Sequence, residues 1–128
     1  MNRYLIDTHT AIWFFNGDQK LSEKAKQIIC DRSNPIYLSV ASAWEVAIKI
    51  SIGKLDEIES VVNFLQDVKI NDITILPINP SHLTILETLP KIHRDPFDRL
   101  IIATAIAEQM TLITADENIV KYEVPKVW

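Results

Sequence analysis

"HRDPFDRLIIATAIAEQMTLITAD" (residues 93–116) reads as a helix feeding a strand that ends in an acid. Asp95 fits an N-cap, Pro96 the first helical position and Asp98 the third, which predicts a helix over about 96–109. "TLITA" (111–115) is a short apolar run of strand type. Asp116 follows it and can cap a short helix over "DENIVKY". A buried strand reached through a helix is the repeating unit of a parallel sheet.

The same unit recurs outward along the chain. "YLID" (4–7) is a strand ending in Asp7, and "THTAIWFFNG" is a short helix stopped by Gly17. Residues 21–33 form a helix with Leu21, Ala25, Ile28 and Ile29 at helical spacing. A second strand covers about 36–38, and Ser39 or Ser42 starts a helix that Gly53 ends. Residues 57–70 form an amphipathic helix with Ile58, Val61, Val62, Leu65 and Val68 on its apolar side. "ITILPI" is a third strand, "PSHLTILETL" a helix opened by Pro80, and "KVW" a final edge strand. The expected fold is α/β, a single domain over 1–128 with a parallel sheet covered on both faces. In such sheets the ligand site lies beyond the carboxyl ends of the strands.

Composition narrows the chemistry. The chain has 128 residues, 48% hydrophobic and 23% charged, which is ordinary for one globular domain. Two glycines, Gly17 and Gly53, cannot build a glycine-rich phosphate loop. The lone cysteine, Cys30, excludes an internal disulfide and a thiolate zinc site; it is expected on the core face of a helix. "MNRYLIDTHT" does not read as a signal peptide, and no apolar run approaches the ~20 residues of a membrane span, so a cytoplasmic location is expected. The net charge of −4 opposes a basic nucleic-acid footprint, but setting four acids around metal ions leaves 13 cations against 13 anions.

Asp7, Asp98 and Asp116 all fall where a strand ends or a helix begins, and Glu45 follows the second strand by less than two turns. Each has a plain structural reading: helix caps for the aspartates, an i,i+4 pair with Lys49 for Glu45. Those readings do not predict that the acids share one edge of the sheet. If they do, two carboxylates ~5 Å apart at an effective dielectric near 20 repel by about 3 kcal/mol. Four together call for protonation or a divalent cation, and oxygen ligands suit Mg²⁺ or Mn²⁺.

"YLIDTHTAIW", "SVASAWEVAIKISIGKL" and "HRDPFDRLIIATAIAEQMTLITAD", with the spacing among them, resemble the PIN domain, and specifically the VapC-type toxins of toxin–antitoxin pairs. The resemblance covers essentially the whole chain. It implies a three-layer α/β/α fold with strand order 3-2-1-4-5. It implies a Mg²⁺- or Mn²⁺-dependent endoribonuclease in which Asp7, Glu45, Asp98 and Asp116 are the catalytic, metal-holding acids and a metal-activated water hydrolyses the RNA phosphodiester. It also implies a homodimer neutralised by an antitoxin. Thr8, Asp95 and Thr114 are candidates for orienting the acids, and Lys49, Arg94 and Arg99 for contacting RNA phosphates.

Other readings compete. His9, His82 and His93 could serve a metal-free ribonuclease as acid and base. Trp13, Phe14 and Phe15 could stack bases, although core and partner surface is the plainer role. A haloacid-dehalogenase-like phosphatase would need a second Asp where His9 stands. A non-catalytic PIN-like RNA-binding module would not need four intact acids.

Overall fold

The computed structural model describes residues 2–128. Five strands are formed: β1 (Tyr4–Ile6), β2 (Ile36–Ser39), β3 (Thr74–Leu76), β4 (Thr111–Ile113) and β5 (Lys126–Val127). All pairings are parallel, in the order β3-β2-β1-β4-β5. This is the expected order. The register aligns Ile6 with Leu38 and with Ile113, so the three central strands end level with one another.

Six helices connect the strands: α1 (Thr8–Asn16), α2 (Glu23–Cys30), α3 (Val40–Ser51), α4 (Val61–Ile70), α5 (Pro80–Thr88) and α6 (Pro96–Glu108). Alternation along each strand divides the interior in two. Ile6, Leu38 and Ile113 face a core shared with Ala11 and Ile12 of α1, Ala25 and Ile29 of α2, Val46 of α3 and Phe64 and Val68 of α4. Leu5 and Leu112 face the other core, with Ile101, Ile102 and Ala105 of α6 and Tyr122. Burial on both faces is why the central strands carry unbroken apolar pairs. Helix α6 is buried from Leu100 to Ala105, wedged between the sheet and its helical neighbours α3 and α5.

Local chemistry sets the boundaries. Ser22, Ser39 and Ser60 cap α2, α3 and α4 through their hydroxyls. Gly17 closes α1 in the left-handed conformation, φ 62°, that glycine tolerates. The segment expected to close as a helix after β4 forms only a 3-10 turn, Ile119–Lys121.

Two expectations are corrected. Helix α4 begins at Val61 rather than near residue 57, and its buried side is Phe64 and Val68, while Val62 and Leu65 are exposed. Ile58 is buried, but from a non-helical turn before Ser60, so it does not set the phase of the helix. Cys30 is exposed at the end of α2, not on its core face. Among the described residues, no helix is long and apolar enough to cross a membrane.

Candidate active site

The level ends of β1 and β4 deliver Asp7 and Thr114 side by side. The Thr114 hydroxyl donates to Asp7 Oδ2 at 2.5 Å and accepts the Asp116 amide at 3.1 Å. Asp7 Oδ1 caps α1 by accepting the Thr10 amide at 2.9 Å. Asp116 divides its oxygens in the same way. Its Oδ1 accepts the Asn118 and Ile119 amides at 2.7 and 3.2 Å, and its Oδ2 lies 3.1 Å from His93 Nε2. Capping and site-building are therefore done by different oxygens of one carboxylate. A depression lined by Asp7, His9, Trp13, Ala115 and Asp116 opens beside them.

Helix α3 brings Glu45 to the same edge. Its side chain is buried, not solvated as a surface Glu–Lys pair would be. Thr8 donates to Glu45 Oε1 at 2.7 Å and sits 2.9 Å from the Ser42 hydroxyl. Lys49, one turn on, holds Glu45 Oε2 at 2.7 Å. Desolvation lowers the Lys49 pKa, but Glu45, with Asp95 and Asp98 nearby, outweighs it and holds the ammonium above its ordinary value.

Helix α6 supplies the remaining acids. Asp95 caps it, accepting the Phe97 and Asp98 amides at 2.8 and 3.2 Å. Asp98, in the first turn, is 7% exposed, and its Oδ2 lies 3.1 Å from His93 Nε2. Burial, then the charges of Asp95, Asp7 and Glu45, push the Asp98 carboxyl up to about 7, against a smaller lowering by His93. Asp95, Asp7 and Glu45 are thus near enough to act on Asp98, while Asp116 is linked to it through His93. Burial also raises Asp7, opposed by its bonds from Thr10 and Thr114. Asp116 is raised by burial, but His93 and the two capping amides together bring it below the ordinary carboxylate value.

Among the described residues, His93, Asp98 and Asp116 form a group able to hold a metal ion, their ligand atoms all within 4.8 Å of one another. Asp7 and Glu45 lie outside this group: Thr114 bonds both Asp7 and the Asp116 amide, and the charges of Asp7 and Glu45 act on Asp98. Sequence reasoning did not place His93 in the cluster. Its position two residues before the capping Asp95 puts it near Asp98 but says nothing of Asp116. His9 is exposed, its ring 5.8 Å from Trp13, and His82 is buried elsewhere, 2.7 Å from Glu108. Trp13, Phe14 and Phe15 are half-buried against the first core.

The three cations differ. Lys49 is engaged by Glu45. The Arg99 guanidinium donates to the carbonyls of Leu89, Pro90 and His93 and to the Tyr122 hydroxyl, bracing the loop before α6. Arg94 is exposed on that loop.

The sequence matches the PIN domain family over residues 4–125. Ribonuclease VapC22 of Mycobacterium tuberculosis is 30% identical over 132 residues, spanning the whole of both chains. VapBC2 from Rickettsia felis, solved bound to a DNA fragment from its promoter, shares the fold with a TM-score of 0.72 at 16% identity, covering 98% of this chain and 97% of that one. A toxin–antitoxin complex from Klebsiella pneumoniae does so with a TM-score of 0.64 at 19% identity, covering 98% and 96%. With the family match spanning four of the five strands and the VapC relative aligned over the whole chain, the chain belongs to the PIN domain family, in its VapC-type branch.

Proposed function

We propose that this chain is the toxin of a toxin–antitoxin pair, an endoribonuclease dependent on Mg²⁺ or Mn²⁺, in which Asp7, Glu45, Asp98 and Asp116 hold the metal. The observation that supports the reading is that His93 lies 3.1 Å from both Asp98 and Asp116 while the charges of Asp7 and Glu45 also act on Asp98, so that acids from separate segments approach one another. Their donor set is hard oxygen, which fits these cations. The likeness to a VapC ribonuclease adds the substrate class.

A bound divalent ion supplies Lewis acidity toward a phosphate oxygen and lowers the pKa of water. The protein's own work is placement. Thr114 fixes the rotamer of Asp7, and Thr8 fixes Glu45 between α1 and α3. The helix dipole at the start of α6 favours the phosphate's negative charge next to Asp98. Arg94, exposed on the loop before α6, would meet a neighbouring phosphate, whereas Lys49 and Arg99 are engaged within the protein. Hydrolysis by water leaves a 5′-phosphate and a 3′-hydroxyl.

Residues 1–128 act as one domain in this reading, in a cytoplasmic homodimer neutralised by a separate antitoxin chain. Exposed Val40 and Trp44 on α3 and Leu83 on α5 offer apolar surface for such contacts.

The test is cleavage of RNA by the purified chain in Mn²⁺, compared with Asp7→Asn and Asp98→Asn. Both variants are expected to fold and to lose cleavage. Cleavage retained by both, or full activity in excess EDTA, would overturn the assignment.

A further inference from the structure

His93 is the cluster member with no role in the reading above, and it is held by unusual means. Its backbone amide donates to the Tyr122 hydroxyl at 2.8 Å, and so does that of Ile92 at 3.0 Å. The Tyr122 hydroxyl donates in turn to the Pro90 carbonyl at 2.7 Å. Arg99 binds the His93 carbonyl from the other side. The loop carrying His93 is therefore fastened to both α6 and the 3-10 turn.

The ring is fixed as firmly. The Asp95 amide donates to Nδ1 at 3.2 Å, so Nδ1 offers its lone pair and the ring hydrogen resides on Nε2. Nε2 hydrogen-bonds Asp116 Oδ2 at 3.1 Å, and Asp98 Oδ2 lies at the same distance from it. The two carboxylates come from different elements, and the imidazole reaches both.

A nitrogen that donates cannot coordinate a cation through the same atom. Mg²⁺ and Mn²⁺ also prefer carboxylate oxygen to imidazole. We infer that His93 is a clasp: in the metal-free protein its Nε2–H bridges Asp98 and Asp116 and holds them together, and a divalent ion displaces it from between them. His93 is thus a positioning residue, acting on the cation through the two acids. The inference rests on the metal-dependent reading of the site.

The experiment is thermal unfolding of the full chain in excess EDTA and in Mn²⁺, for wild type, His93→Ala and His93→Gln. Losing the bridge in EDTA is expected to lower the melting temperature of His93→Ala by about 3–6 °C. In Mn²⁺ the loss shrinks, because the ion holds the acids. The Mn²⁺-induced rise is therefore larger in His93→Ala than in wild type. His93→Gln, which keeps an N–H donor, recovers part of the EDTA loss. The ring ¹⁵N spectrum of the metal-free wild type is expected to show the Nε2–H tautomer. A rise smaller in His93→Ala than in wild type would mean that His93 is a ligand, and an equal rise that it is only structural; either overturns the clasp. No Mn²⁺-induced rise in the wild type overturns the metal reading itself, and the displacement step with it.

Discussion

Thr8 and Glu45, 37 residues apart in sequence, share a 2.7 Å hydrogen bond that joins the first turn of α1 to the middle of α3. The bond is fully buried, and it fixes an acid whose second oxygen is taken by Lys49. Thr8→Val keeps the shape and deletes the donor. Leaving a buried carboxylate oxygen unpaired costs about 1–3 kcal/mol. Urea unfolding in EDTA is expected to show that loss, and RNA cleavage is expected to fall because Glu45 is no longer held. Unchanged stability would show that Ser42 replaces the donor.

Asp98 gives a pH dependence with a defined sign. Its folded carboxyl is held near 7 against an ordinary value of 3.8, so between those values the folded state carries a proton that the unfolded state has lost. Its contribution to stability is full below about pH 4 and declines as pH rises through 7. Asp7 is shifted the same way, and Asp116 the opposite way. In EDTA, Asp98→Asn is expected to flatten the decline between pH 5 and 7 and to melt higher than wild type at pH 8. A variant curve parallel to the wild-type curve would remove Asp98 as its source.

In the proposed reading, a divalent cation would reverse that penalty by binding the folded state only. At a concentration 100 times its dissociation constant, such a ligand stabilises by about 2.7 kcal/mol. The melting temperature is expected to rise with Mn²⁺ concentration without saturating sharply, and Asp7→Asn is expected to blunt the rise. A flat response in the wild type would count against a metal centre.

Tyr122 is 3% exposed, and its hydroxyl accepts two amides while donating to a carbonyl. Tyr122→Phe strips both amides of their acceptor and is expected to cost about 1–3 kcal/mol. Amide exchange should accelerate more at Ile92 and His93 than in β1 and β4. Arg99→Lys, which cannot reproduce the fork across Leu89 and Pro90, is expected to lower stability as well. If Arg99→Lys weakened only RNA binding, its part in bracing the loop would be refuted.

Much of this was legible in the sequence for physical reasons. Strand–helix alternation fixes a parallel sheet, and a parallel sheet fixes where acids at strand ends must gather. Asp95 could be read as a cap because the Asp-Pro start is a local signal, satisfied within three residues. Helix α4 was misread because Ile58, buried but outside the helix, was counted in its apolar stripe, which rotated the face from Phe64 and Val68 towards Val62 and Leu65. The role of His93 was hidden because it depends on two loops meeting in space. Nothing in a His two residues before an Asp indicates that an acid 23 positions downstream will arrive at its ring.

The exposed Cys30, the sole thiol of the chain, has a practical consequence. It terminates α2 just before β2 begins, at the amino end of the sheet, opposite the acids. One maleimide fluorophore attached there would label the protein once, at a known point, without touching the carboxyl edge. Anisotropy from that dye would follow the capture of RNA or of an inhibitory peptide directly, in the wild-type sequence, with no engineered cysteine.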